Sequence, residues 1–383
     1  MPDRHNNFDL IRLLAAAQVV YVHAARDLKL ATPAAVDWLA VMFPGVAVFF
    51  VISGFLVTKS LVAGGGALWP YAVKRALRIY PALWVNFIVV LVLLYWSGAL
   101  APADIPTSKF LFYQLGQFVI GAEPYGRAIA GPIYHWGDFY TSYPNPALWT
   151  IPVELGFYVL VPLVFCRLVR RSLALTNAVI LISVAGSLAM AVLSAHLLRT
   201  APHSIVTGGV GNGPLPYFWI FLLGAGAYLN WERLRALFVG RFALWFATYL
   251  LIEWVSAGFG ASGLDFVDIS ALAVLKMALL AGTVLALAHS HVGLARVLRG
   301  NDLSYGLYLY HLPFFATLSG LGLVGRGYLW GVGFGGALSL AALSWFLVER
   351  RFLRLKSALE KRMPSIRAAP LDADRRRSVS PTA

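Results

Sequence analysis

Asp9, Arg12 and His23 share one otherwise apolar stretch, residues 8–23, FDLIRLLAAAQVVYVH. On an α-helix the spacing of Arg12 and His23 corresponds to about 20° of angular drift and roughly 16 Å of rise. One helix face then carries a guanidinium near one end and an imidazole near the other. Asp9, one turn before Arg12, can pair with it. Ionisable groups in a bilayer are costly and face a cavity or a partner, so this face reads as the wall of a polar path across a membrane.

Three further groups of residues could take part. Glu154 lies in ALWTIPVELGFY, behind Trp149 and inside an apolar run. At that depth it can sit beside His23, and a carboxylate beside an imidazole fixes the tautomer and stabilises the imidazolium. Arg75 and Arg78, in KRALRIYP, project from one face at a helix start, where free backbone donors and the dipole add positive potential. Two guanidiniums so placed can grip phosphate bidentately. Taken alone, such a run is more often a topogenic basic cluster. Ser304, Tyr308 and His311 recur at i, i+4 and i+7 in LSYGLYLYHLP, a polar stripe that would serve equally well as a hydrogen-bonded seam between helices. Ser53-Gly54 reads as a close packing contact and Cys166 as packing. Lys276, inside an apolar run, either snorkels or lines a cavity. No phosphate loop, dinucleotide fingerprint, HExxH, CxxC or GxSxG is present, and no metal is expected.

The elements that must hold these residues are membrane helices. Only 13% of the 383 residues are charged and the mean hydropathy is +0.72, whereas soluble domains carry about 25% charged residues. The expected fold is an all-α polytopic bundle of about ten spans, near 8–24, 40–62, 78–98, 148–167, 174–197, 214–231, 241–258, 267–289, 302–320 and 327–348. The apolar stretch 110–121 is too short to cross and is expected to be re-entrant or interfacial. Residues 1–355 form the membrane domain. Residues 356–383 are a basic tail, expected to be disordered in the cytoplasm and to lie against anionic headgroups. A cleaved signal peptide is not expected, because the first apolar segment carries Asp9 and Arg12.

The net charge of +14 does not point to nucleic acid, because the basic residues collect in alternate loops. With the N-terminus in the cytoplasm, the outer connections hold Arg26, Lys29, Lys109, Arg127, Arg199 and Arg326. Arg12 and Lys276 lie within spans, and all the other basic residues fall on the inner side, as the positive-inside bias requires. Both termini are then cytoplasmic and the host membrane is the cell's inner membrane.

Taken in order, FDLIRLLAAAQVVYVHA, GVAVFFVISGFLV, KRALRIYP, LWTIPVELGFYVLVP and LSYGLYLYHLP make the chain resemble the acyltransferase-3 family over about residues 6–355. These are the multi-pass membrane O-acyltransferases that modify O-antigen, exopolysaccharide, Nod factors and macrolides. Arg12 and His23 match the family's Arg-x10-His, and Arg75 and Arg78 its Arg-x-x-Arg. Ala47 stands where the family often has an acidic residue. The resemblance implies an acyl-CoA donor, most simply acetyl-CoA, on the cytoplasmic side. It implies a glycan, lipopolysaccharide or other hydroxyl acceptor, and O-acetylation of a polysaccharide of the cell envelope.

On this reading Arg12, Arg75 and Arg78 bind the donor. His23 is general base or transient acyl acceptor, since imidazole suits both roles near neutral pH, and Glu154 orients it. Asp9, Trp149, Ser304, Tyr308 and His311 support them. The alternative is a transporter or flippase for a lipid-linked sugar, which a polar path would also serve. A requirement for acyl-CoA separates the two, and no internal repeat is evident to favour a transporter.

Overall fold

The computed structural model describes residues 6–98, 108–121, 145–165, 172–202, 204–260, 269–290, 298 and 300–355. Cys166, Arg127 and the basic tail lie outside the described residues. Among those described, all regular structure is helical, the form in which a chain satisfies its own backbone donors and acceptors inside lipid.

The elements used below are α1 (Phe8–Asp27), α2 (Ala34–Met42), α3 (Gly45–Ala63), α4 (Leu68–Trp96), α5 (Ser108–Ile120), α6 (Thr150–Phe165), α7 (Leu173–Thr200), α8 (Ile205–Gly211), α9 (Phe218–Leu229), α10 (Trp231–Phe238), α11 (Phe242–Ala257), α12 (Ala271–Ala288), α13 (Ser304–Gly320) and α14 (Leu329–Ser344). Seven helical segments among the described residues are long and apolar enough to cross a membrane, or eight if the bent pair α10 and α11 is one span. The other segments expected to cross are helical but shorter: α9 with its preceding turn, α11 alone and α13. The protein is thus an all-helical, multi-pass membrane protein, and the expected count of ten goes beyond what helix length and composition establish. At 13 residues, α5 is well below the roughly 20 needed to cross. It lies along α4, where Trp84 Nε1 donates to the Phe118 carbonyl at 3.0 Å and Tyr80 to that of Val119 at 2.9 Å.

Two packing devices position the site. The first is a close crossing of α3 and α9. A Cβ on Gly54 would fall on the Phe221 carbonyl oxygen, and one on Gly224 on that of Val51. The absence of both Cβ atoms lets the backbones touch. Phe50, Phe157 and Phe221 fill the core beside the crossing, with ring centroids 5.1 and 4.8 Å apart.

The second device uses proline. Pro313 in α13 has no N–H for the carbonyl four residues back. That carbonyl, on Leu309, accepts instead from Asn86 Nδ2 of α4 at 3.0 Å and from Asn145 Nδ2 at 2.8 Å. Pro162 in α6 likewise frees the Tyr158 carbonyl, which accepts from the Tyr71 hydroxyl of α4 at 3.1 Å. Each proline removes a bond within its helix and supplies a bond between helices. Lys276 neither snorkels nor lines the cavity. Its Nζ lies 3.0 Å from Glu253 Oε2, both side chains almost wholly buried between α12 and α11.

Candidate active site

A cavity of about 350 Å³ lies between α1, α3, α4, α6 and the start of α13. Arg12 comes from α1, Arg75 and Arg78 from α4, and all three line it, as do Asp9, Glu154, Ser304 and Tyr308. Residues separated by up to about 300 positions thus share one chamber. Helix periodicity explains the local part: Arg75 and Arg78 are one turn apart and emerge on the same side of α4. The helix start expected at these arginines lies elsewhere: α4 begins at Leu68, so both sit two to three turns inside it, where the backbone donors are already used and the dipole of the first turn adds little.

The arginines are not equivalent. Asp302, just before α13, takes two of them on one carboxylate oxygen: Arg12 Nη1 at 3.1 Å and Arg78 Nη2 at 2.5 Å. Its other oxygen accepts from the Ser304 backbone N–H at 3.1 Å and from the Ser304 hydroxyl at 2.5 Å, an Asx turn that leads into α13. Asp9 is a more distant partner of Arg12, at 3.7 Å. Glu349 lies 3.7 Å from Arg78 Nη1 and accepts from Ser344 at 3.0 Å. It is buried at the end of a π-helical turn, Trp345–Glu349, the kind of insertion that re-aims one side chain. Arg75 has no carboxylate partner among the described residues. It donates to Ser60 at 3.3 Å, lies over the rings of Tyr158 and Tyr71 at 5.6 and 6.0 Å, and leaves its buried Nε without a hydrogen bond.

The expected pairing of Glu154 with His23 is not what the structure contains. Glu154 accepts from the Ser53 hydroxyl at 3.2 Å and from Tyr158. His23 Nδ1 lies 2.7 Å from Nε2 of His311, with the two rings within 5° of parallel. The reason is helix direction. Thr150 of α6 and Tyr308 of α13 meet hydroxyl to hydroxyl at 2.7 Å. From that level Glu154 is one turn onward along α6, toward the arginines, and His311 is about one turn onward along α13, away from them. Two turns of opposite sense separate them by roughly 10 Å.

His23 and His311 lie outside the lining of the cavity. Tyr308 stands between them and it, donating to the Ala147 carbonyl at 2.5 Å and with its ring 5.9 Å from Phe49. Trp149 faces elsewhere, against Tyr217 at 5.3 Å. Sequence reasoning missed Asp302 and Glu349. The signal for Asp302 was an acid two residues before a serine at a helix start. Glu349 fell one residue beyond the expected end of the last span.

The arrangement offers guanidiniums for an anionic ligand at one end and an imidazole pair for proton transfer at the other. The chain is 38% identical to nodulation protein 10 of Rhizobium leguminosarum bv. viciae over 365 residues, covering 94% of this chain and 96% of the relative. It is 27% identical to an O-acetyl transferase of Shigella phage Sf6 over 157 residues, covering 41% and 45%. No solved structure matches it. The acyltransferase-3 family, described as an acyltransferase domain, matches residues 5–348, so the chain belongs to that family and is a membrane O-acyltransferase.

Proposed function

We propose that the protein moves an acetyl group from acetyl-CoA, entering from the cytoplasm, to a hydroxyl of an envelope glycan or related acceptor reached from the far side of the inner membrane. The observation that carries this is the convergence of Arg12, Arg75 and Arg78 on one cavity. Coenzyme A is a polyphosphate with a long thin arm. Phosphates held by the arginines would let the arm run along α1 toward His23, about 16 Å away along the helix. His23 is the catalytic base, or carries the acyl group transiently, and Glu154 with Tyr158 shapes the wall beside Arg75. The similarity to the phage O-acetyl transferase supports acetyl as the group. The bias of basic residues toward one set of loops supports a ten-span, N-in and C-in topology, in which the arginine end would face the side where acyl-CoA is made.

Calorimetric titration of coenzyme A into the detergent-purified protein tests the donor site. Arg75→Ala is the cleanest variant, because Arg75 balances no carboxylate among the described residues. A charged hydrogen bond of about 1.5–3 kcal/mol corresponds to roughly 10–150-fold weaker binding. Arg75→Lys keeps the charge but loses the planar fork and should fall between the two. Arg233→Ala, on the exposed face of α10, should change nothing. Unchanged affinity in Arg75→Ala and in the Arg75/Arg78 double alanine variant would return the pair to topogenic charge.

A further inference from the structure

The contact between His23 and His311 contains more information than proximity. A separation of 2.7 Å between two ring nitrogens requires one proton between them: two lone pairs would repel, and so would two N–H groups. The far side of His311 decides which ring supplies it. His311 Nδ1 lies 3.1 Å from the Leu307 carbonyl oxygen, which can only accept, so Nδ1 carries hydrogen. A neutral imidazole has one N–H. No carboxylate reaches the wholly buried His311 within hydrogen-bond distance among the described residues, so the neutral ring is the state read here. Its Nε2 is then a lone pair, His23 Nδ1 donates to it, and the lone pair of His23 is on Nε2. That nitrogen has no hydrogen-bond partner among the described residues.

We propose that His311 is a positioning residue which holds His23 in the Nδ1–H tautomer and stabilises the charge that His23 acquires during transfer. This rests on His23 being the base. In the transfer, the acceptor hydroxyl oxygen forms a bond to the thioester carbonyl carbon while His23 Nε2 takes the hydroxyl proton. His23 is then an imidazolium whose Nδ1–H points at the lone pair of His311. The tetrahedral adduct collapses, the C–S bond breaks, and the departing sulfur takes the Nε2 proton. An ester and a free thiol are released, and both histidines return to their starting state. The chain from the Leu307 carbonyl through His311 to His23 does the work that a carboxylate does in a Ser-His-Asp triad. It uses a neutral acceptor, which costs less to bury than a charge.

The test has a spectroscopic arm that needs neither donor nor acceptor. Protein labelled with 15N-histidine in detergent is observed by nitrogen NMR, with His23→Ala and His311→Leu used to assign the two rings. His23 is expected as the Nδ1–H tautomer, reverting in His311→Leu to the Nε2–H form that dominates for free imidazole side chains. The second arm measures surface-glycan O-acetylation by mass spectrometry in a deletion strain carrying each variant. His311→Leu should reduce the rate about 10²-fold or more, the scale of losing a positioned base, with coenzyme A affinity unchanged. His311→Gln, whose side-chain oxygen can replace Nε2 as acceptor, should restore most of it. An Nε2–H tautomer for His23 in the unmodified protein overturns the proposal. So does equal activity of the Leu and Gln variants. Full activity in His23→Ala would instead overturn the reading of His23 as base and leave the tautomer result to stand on the nitrogen spectrum.

Discussion

Asp302 shows how one unforeseen residue changes the meaning of two foreseen ones. Arg12 and Arg78 read, in sequence, as donor-binding cations, with Asp9 the one carboxylate expected beside Arg12. In the folded chain both donate to the same Asp302 oxygen, so a donor phosphate must compete with a carboxylate already in place, and only Arg75 offers its charge unopposed by a described carboxylate. Asp302→Asn keeps the shape and removes the competitor. Coenzyme A should then bind about tenfold tighter, within the range of one charge-assisted hydrogen bond. Stability should fall by roughly 3–5 kcal/mol, because two partly buried guanidiniums lose a counter-charge. Calorimetry and thermal unfolding in detergent read the two effects separately. Weaker binding would mean that Asp302 aims the arginines at the donor rather than occupying them in its absence.

At the scale of elements, the site is held by contacts that hydropathy does not encode. Pro162 opens the carbonyl that seats Tyr71, and Tyr71 with Tyr158 brackets Arg75. Pro313 opens the carbonyl that holds Asn86 and Asn145, fixing the turn that leads to Thr150. The crossing of α3 and α9 places Ser53 against Glu154 and depends on the missing side chain of Gly54. Gly54→Val would push carbon into the Phe221 backbone, which cannot rotate aside as a side chain can. Overpacking of this kind costs about 1–3 kcal/mol or more, and the midpoint of thermal unfolding should drop accordingly. Gly186→Val in α7 is the control, since a Cβ there meets nothing within 4 Å. Equal midpoints for the two variants would show that the crossing tolerates separation.

For the whole molecule, orientation decides whether the donor can reach the arginines. The proposed topology places the α8 region outside and α10 inside. In a Cys166→Ser background, a cysteine at Gly209, where an added Cβ meets nothing within 4 Å, should react with an impermeant thiol reagent in intact cells. One at Arg235, whose side chain is 62% exposed, should react only after the membrane is opened. The reverse pattern would place the arginine cavity on the side without acyl-CoA and remove the proposed donor.

The amino-acid sequence alone determined the helical membrane class, the long apolar segments around which the main helices form, and the residue types at issue; the short helices α8 and α10 and the early start of α4 were not readable from it. Hydropathy and three- or four-residue spacing are local properties, and lipid leaves the backbone few alternatives. Arg75 with Arg78, and Asp9 with Arg12, were readable for that reason. Only the tertiary structure decided which groups meet across the bundle. His311 lies 288 positions from His23, and Asp302 lies 290 from Arg12 and 224 from Arg78. Glu154 and His23 illustrate the physical reason. Span ends are uncertain by a few residues, and one turn is about 5.4 Å. A hydrogen bond tolerates only a few tenths of an ångström around 3 Å, so helix direction and register, which the packing sets, choose the partner.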